Sequence, residues 1–139
     1  MPITYSKASL DKLQGVHPDL VKVFMKAKDY VPAELDFKIT CGLRTLEEQK
    51  KLVAKGASKT MKSRHLTGHA VDVAILAKDG KGLDWTFEKY AQLAEYIKQA
   101  ARDVRVPIVW GGDWDNDGSY KDESFLDGPH FELYRKAYP

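Results

Sequence analysis

Residues 63–77, with the sequence SRHLTGHAVDVAILA, place a polar turn directly before an apolar strand. From Gly68 to Ala77 the residues alternate well enough to predict a β-strand, and the glycine permits a sharp turn into it. His65 and Asp72 lie seven residues apart on the two sides of that turn. Both side chains are therefore expected to face one point beside the strand.

Predicted helices and further strands surround this segment in the sequence. Thr45 and Glu48 have the form of a capping box, which predicts a helix that ends at Gly56. Phe87, Tyr90, Leu93 and Ile97 lie on one apolar stripe of the longest predicted helix, from Trp85 to about Val104. The other predicted elements are helices over residues 6–13 and from Pro18 to before Pro32, and strands over residues 36–41, 107–110 and 130–134.

Length and element order limit the fold. The chain has 139 residues, of which 43% are hydrophobic and 30% charged. That is enough for one domain with its own core, over residues 1–139, and too little for two comfortable ones. Helices mixed with nonconsecutive strands, without a repeated βαβ pattern, predict an α+β fold in which helices pack on a small antiparallel sheet. The order of the strands is left open.

Composition excludes several classes of partner. The 22 Lys and Arg residues nearly balance the 20 Asp and Glu residues, so no basic footprint for nucleic acid is expected. Cys41, the single cysteine, cannot form an internal disulfide and is predicted to be a buried strand residue. No apolar run approaches the roughly 20 residues that span a bilayer, so membrane insertion is not expected.

Histidines and carboxylates supply a candidate metal site. His130 opens the last predicted strand, and Asp127 lies three residues before it. With His65 and Asp72, His130 makes a set of three ligands of the kind that zinc accepts. A fourth position would then be open for water, as in catalytic zinc sites, where the metal lowers the pKa of bound water. Asp127 is placed to move a proton, and Arg44, just after a strand end, to stabilise an oxyanion or bind a substrate carboxylate.

The sequence contains the block from Ser63 to Asp72, with the pattern Ser-x-His-x-x-Gly-x-Ala-x-Asp, and the block from Asp127 to Glu132, with the pattern Asp-x-Pro-His-Phe-Glu. These two blocks resemble a known family of zinc peptidases. The family includes D-alanyl-D-alanine carboxypeptidases, vancomycin-resistance dipeptidases and phage L-alanyl-D-glutamate endopeptidases. The resemblance spans roughly Phe37 to Leu133, and the stretch from Trp110 to Trp114, WGGDW, looks most like the phage endolysins.

The resemblance implies a fold and a role for individual residues. The fold is that of the D-Ala-D-Ala peptidases and the hedgehog signalling domain. Asp127 fills the acid/base position, Arg44 assists at the substrate carbonyl, and Ser63 lines the substrate site. The implied zinc ligands are His65, Asp72 and His130.

The resulting functional prediction is a zinc endopeptidase that cuts the peptidoglycan stem peptide between L-alanine and D-glutamate and lyses the host of a phage. Two alternatives stay open: a D-Ala-D-Ala carboxypeptidase or dipeptidase, and a non-catalytic zinc-binding module. The N-terminal stretch is polar and lacks the pattern of a secretory signal. We therefore expect a monomer made in the cytoplasm, which reaches the wall once a separate protein has permeabilised the membrane.

A second metal signal lies in the acidic segment before the last strand. Residues 113–119, with three alternating aspartates, match the opening of an EF-hand calcium loop. The twelfth position is Ser124, so a calcium loop here would be a variant closed by nearby acids. Bound calcium would order the loop and thereby position Asp127 and Trp114 for catalysis. Trp114 is a candidate platform for the substrate. The alternative is a solvated, turn-rich loop that binds no metal. The candidate calcium ligands are Asp113, Asp115, Asp117, Ser119, Asp122 and Glu123.

Three other residues either have a role that the sequence leaves open or are predicted to lie outside the metal site. Glu132 lies two residues after His130, on the same strand face, and is either a partner of that histidine or a surface charge. His69 alternates away from Asp72 and is predicted to be a non-ligand. His17, before Pro18, is predicted to be an exposed turn residue.

Overall fold

Four helices and a five-stranded sheet make up the part of the chain that the structure, a computed structural model, describes: residues 3–56, 63–79, 81–113 and 127–139. This confirms the predicted α+β class. Short 3₁₀ turns cover Ala33–Leu35 and Arg64–Thr67. The helices are α1 (Lys7–Lys12), α2 (Pro18–Ala27), α3 (Leu46–Ala54) and α4 (Phe87–Val104). The strands are β1 (Phe37–Cys41), β2 (Ala70–Leu76), β3 (Leu83–Asp84), β4 (Ile108–Trp110) and β5 (His130–Leu133).

Local sequence signals account for most of these boundaries. Ser6 caps α1, and Thr45 and Glu48 form the predicted capping box at the start of α3. Helix α2 ends at Ala27, earlier than predicted, and the chain continues in hydrogen-bonded turns to Val31. Strand β3 was not predicted, because two residues are too few to show a periodic pattern.

Strand β2 lies at the centre of the sheet. The strand order is β1-β2-β5-β4, with β3 paired to the far end of β2, and every one of these pairs is antiparallel. Hydrogen bonds on both sides of β2 fix its register against β1 and β5. Strand β2 is therefore the strand that positions its neighbours.

Alternation along β2 separates a core face from a second face. Val71, Val73 and Ile75 belong to the hydrophobic core, where they meet the helices. Asp72 lies between them in sequence and so points to the opposite face. Helix α4 contributes Tyr90, Leu93 and Ile97 to the same core, with Phe87 packed against it, as its apolar stripe predicts. No helix in the described ranges is long and apolar enough to cross a membrane.

Candidate metal centre

The register of three strands aligns polar side chains in one row. Asp72 of β2 pairs with His130 of β5 on one side and with Cys41 of β1 on the other. Side chains of directly opposite residues are adjacent across a sheet. The β1–β2 ladder shifts between Ile39 and Cys41, and this irregularity moves the cysteine away from the core face that Phe37 and Ile39 occupy. Cys41 is therefore half-buried beside Asp72, a correction to the buried strand position predicted from the sequence.

Asp72 lies between the two predicted histidine ligands. Its Oδ1 atom is 3.0 Å from His130 Nδ1, and its Oδ2 atom is 3.2 Å from His65 Nε2. Burial raises the pKa of the Asp72 carboxyl, but the close contacts with the two imidazoles and their charge outweigh burial and hold that pKa well below its usual range. The structure thus brings all three sequence-predicted zinc ligands together.

His65 is held by the 3₁₀ turn that precedes β2. Its main-chain N–H donates to Ser63 Oγ, and its ring Nδ1 lies 2.8 Å from the carbonyl oxygen of Gly42. Because a carbonyl only accepts, Nδ1 keeps its proton and Nε2 is the nitrogen that faces Asp72. Nε2 is buried, and its contact with Asp72 Oδ2 at 3.2 Å does not have the geometry of a hydrogen bond. An unsatisfied buried nitrogen is costly, and a metal ion would satisfy it.

His130 presents the other ring nitrogen to the site. Nδ1 faces Asp72, while Nε2 lies 2.9 Å from Glu132 Oε1. Burial lowers the pKa of His130, but Asp72 and Glu132 raise it to about 9, and similar contacts with Asp72 and Cys41 raise the pKa of His65 to about 10. The carboxylates therefore favour positive charge at this point. Glu132, left open by the sequence, is a contact partner of His130.

Asp127 joins this cluster from the turn that leads into β5. Donor atoms of Asp72, Asp127 and His130 lie within 4.8 Å of one another. The turn is closed by a hydrogen bond of 3.0 Å from the His130 N–H to the Asp127 carbonyl. Burial, together with the charge of Asp72, raises the pKa of Asp127 above its ordinary value. The predicted acid/base thus lies beside the predicted ligands.

Arg44 reaches the cluster through Cys41 and a buried glutamine. Its guanidinium donates to Gln49 Oε1 at 2.6 Å and to Cys41 Sγ at 3.3 Å, and its main-chain N–H donates to the His65 carbonyl. Burial raises the pKa of the Cys41 thiol, but His65 and Arg44 outweigh burial and lower it. Gln49 is fully buried. Sequence reasoning missed this role; the available signal was a polar residue on the apolar stripe of α3.

The donor chemistry of the cluster fits zinc. Two imidazole nitrogens and a carboxylate are ligands that catalytic zinc sites use, with a further position left open. The thiol of Cys41 also lies within 4.8 Å of donor atoms of His65 and Asp72. His65 Nε2 lies 3.2 Å from Asp72 Oδ2, so this group and the group with Asp127 and His130 share Asp72. These residues can therefore hold one metal ion at the edge of the sheet face opposite the core.

Comparison with known proteins assigns the chain to a family. The family model described as phage L-alanyl-D-glutamate peptidase matches residues 1–134. The chain belongs to this peptidase family. The resemblance stated from the two sequence blocks is thereby confirmed.

Relatives of this peptidase-family chain come from phages and a bacterium. The L-alanyl-D-glutamate peptidase of Escherichia phage T5 is 34% identical over 140 residues, 96% of this chain and 99% of the relative. That of Listeria phage A118 is 35% identical over 96 residues, 69% of this chain but 30% of the longer relative. The crystal structure of the Serratia marcescens L-Ala D-Glu endopeptidase ChiX superposes with a TM-score of 0.77 at 40% identity, covering 98% of this chain and 94% of ChiX.

A more distant neighbour supports the predicted fold. The vancomycin-resistance D,D-dipeptidase VanXYg has a TM-score of 0.52 at 19% identity, over 85% of this chain and 50% of the dipeptidase. Similarity at this level concerns the fold alone. It agrees with the prediction of a D-Ala-D-Ala-peptidase-like α+β fold.

The structure describes only some of the other predicted site residues. The Ser63 hydroxyl accepts the His65 N–H and thereby shapes the turn, and its substrate role stays a prediction. Asp113, the first candidate calcium ligand, is buried, with Oδ2 3.7 Å from Lys98 Nζ. His69 contacts Thr67 instead of the metal cluster, and His17 is half-buried where it caps α2. Trp114, Asp115, Asp117, Ser119, Asp122 and Glu123 lie outside the described residues.

Gly111 fixes the position of Asp127 by close backbone contact. The Gly111 carbonyl accepts the Asp127 N–H at 2.8 Å, and the Gly111 N–H donates to the His130 carbonyl at 2.7 Å. A Cβ atom at Gly111 would lie 2.1 Å from the Asp127 carbonyl oxygen. Such a contact is not tolerated, so any side chain here must displace the turn that carries Asp127.

Gly111→Ala is accordingly expected to destabilise the protein by roughly 1–3 kcal/mol, the cost of overpacking a tight contact. Thermal unfolding measures the effect as a Tm lower by several degrees. Gly82→Ala is the matched control, because a Cβ there would meet nothing within 4 Å. Equal Tm values for the two variants would contradict the close contact.

Proposed function

We propose that the chain is a zinc-dependent endopeptidase that hydrolyses the bond between L-alanine and D-glutamate in the peptidoglycan stem peptide, and that it serves as a phage endolysin. The observation that carries the proposal is that the Asp72 carboxylate contacts both His65 and His130, while donor atoms of Asp127, Asp72 and His130 lie within 4.8 Å of one another. The phage and Serratia relatives, which are named for cleavage of this bond, support the choice of substrate.

Three side chains would hold the zinc ion: His65 through Nε2, Asp72 through its carboxylate and His130 through Nδ1. Bound zinc supplies a Lewis acid that polarises a carbonyl and lowers the pKa of a coordinated water to about 7. Asp72 also balances the charge of the cation, since its carboxylate lies between both imidazoles. The β2–β5 register and the Gly42 carbonyl fix the directions of these side chains.

Asp127 would act as the general acid and base. Its carboxylate takes a proton from the attacking water and passes it to the leaving amine, which must be protonated before it departs. The backbone hydrogen bonds of Gly111 with Asp127 and with His130 hold this carboxylate beside Asp72 and His130. A positioned side chain of this kind contributes about 10²–10⁴ in rate.

Arg44 would bind the developing oxyanion or a carboxylate of the substrate. Its planar guanidinium presents several donors, and the contacts with Gln49 and Cys41 restrict how it moves. Ser63 and Trp114 are the further residues that we propose for substrate contact. Every proposed group comes from one chain, so a monomer within a single domain is sufficient, and its place of action is the bacterial cell wall.

Product analysis on purified peptidoglycan tests the proposal. Zinc-loaded protein is incubated with the wall material, and mass spectrometry identifies the bond that is cut. New D-glutamate amino termini are expected. Release of D-alanine would instead assign the chain to the carboxypeptidases and dipeptidases, and absence of cleavage would leave a non-catalytic zinc module.

Calcium binding by the acidic segment is a separate proposal that rests on the sequence pattern of residues 113–123. Asp113 is the ligand candidate that the structure describes, and calcium would have to compete there with Lys98. Calorimetry on zinc-loaded protein freed of calcium measures binding directly. No heat of binding at about millimolar calcium, the weak end of EF-hand-type sites, would contradict it.

A further inference from the structure

A carboxylate outside the proposed ligand set contacts one of the two histidines. Glu132 lies two residues after His130 on β5, so both side chains project from the same face of the sheet. The Glu132 Oε1 atom is 2.9 Å from His130 Nε2. Its side chain is only 13% exposed. A buried carboxylate needs a partner, and His130 supplies one hydrogen bond to it.

Arg64 supplies the second contact of Glu132. The Arg64 Nε atom is 3.7 Å from Glu132 Oε2, and the arginine side chain is 9% exposed. Its Nη2 group also donates to the main-chain carbonyls of Leu133 at 3.2 Å and Tyr138 at 2.7 Å. The guanidinium is thus anchored to the backbone near the C-terminus. Glu132 is held from one side while it contacts His130 on the other.

The two histidines are oriented by different groups. A neutral backbone carbonyl, that of Gly42, holds Nδ1 of His65, whereas a carboxylate holds Nε2 of His130. The hydrogen bond at one ring nitrogen determines which nitrogen is left for a metal. His65 is left with Nε2 and His130 with Nδ1, and both of these atoms face Asp72.

We propose that Glu132, held in place by Arg64, is a positioning residue that fixes the His130 ring so that Nδ1 faces the metal. The inference rests on the proposed function, because it takes His130 as a zinc ligand. Without Glu132, the ring can rotate or change tautomer and present Nε2 instead. The zinc ion then loses a ligand in part of the population.

Zinc affinity measured by competition with a chelator tests the inference. Glu132→Ala is expected to weaken zinc binding by about 10–100-fold, the usual effect of removing a partner of a metal-binding histidine. Glu132→Gln keeps an acceptor for the Nε2 proton and should lose less than about tenfold. Glu95→Ala, at an exposed position of α4, is the control and should bind zinc like the parent.

Nitrogen NMR of the histidine rings separates positioning from a general loss of stability. In the zinc-loaded parent, the His130 Nδ1 signal is expected at the position of a coordinated nitrogen, with a proton on Nε2. In Glu132→Ala, each of the two His130 ring nitrogens should show a mixture of the coordinated and the protonated signal. A merely structural role would lower the Tm and leave these ring signals unchanged, which would overturn the inference, as would parent-like zinc affinity in both Glu132 variants.

Failure of the inference and failure of the proposed function are distinguishable. A parent protein that binds no zinc overturns both. A parent that binds zinc through His130 Nδ1 but leaves peptidoglycan intact overturns the proposed function alone. A parent that cleaves the wall, with Glu132→Ala unchanged in affinity and ring signals, overturns only the role of Glu132.

Discussion

Asp127→Ala is expected to reduce peptidoglycan cleavage by about 10²–10⁴-fold while zinc stays bound, because the variant loses the group that moves the proton and keeps the proposed ligands. Initial rates on purified wall measure the loss of cleavage, and the zinc content of the same samples shows whether the metal stays bound. The turn that carries residue 127 is held by main-chain hydrogen bonds with Gly111 and His130, so the substitution leaves these bonds available.

Two further variants make this test specific for proton transfer. Asp127→Asn keeps the size of the side chain, but its amide is not basic enough to take up the proton. It should therefore lose about as much activity as the alanine variant. Asp79→Ala, at an exposed turn residue, should match the parent. Full activity in Asp127→Ala would refute the proton-transfer role, and loss of zinc from that variant would make Asp127 a ligand instead.

His65→Ala is expected to lose both zinc and measurable cleavage. The substitution removes the buried Nε2 atom that faces Asp72, so the metal keeps at most two of its three proposed protein ligands. His69→Ala is the matched control, because this histidine contacts Thr67 and belongs to neither group of candidate ligands in the described residues. Equal losses in the two variants would contradict the assignment of His65.

Metal removal from the unmodified protein provides the same test without a substitution. Dialysis against a chelator should abolish cleavage, and added zinc should restore it. Because the sequence is unchanged, this result does not depend on whether His65→Ala folds. Activity that survives complete removal of zinc would exclude a zinc-dependent reaction.

Local patterns were sufficient to predict most of the fold. Caps at Ser6 and Thr45, the apolar stripe of α4 and the alternation in β2 depend on residues close in sequence, and each is present. The strand order and the ladder shift before Cys41 depend on pairing between distant segments. No short-range pattern specifies them, so the strand order was left open and Cys41 was expected to be a buried strand residue.

In the candidate site, too, residues recognised by local patterns were predicted, and contacts between distant segments were not. His65, Asp72, His130 and Asp127 were found because their residue types and spacing suggest zinc chemistry and match two blocks of a known family. Gln49 was not singled out, since its contact with Arg44 depends on how α3 packs rather than on a motif. The choice between two roles for Glu132 required the ring orientation of His130, which only the three-dimensional arrangement provides.

The close contact between Gly111 and Asp127 also has a consequence for how the chain tolerates changes in length. The backbone hydrogen bond from the Asp127 N–H to the Gly111 carbonyl joins positions on the two sides of residues 114–126. Because the Gly111 N–H also donates to the His130 carbonyl, a residue inserted between Asp127 and His130 could not keep both bonds, so this short spacing is expected to allow no change in length.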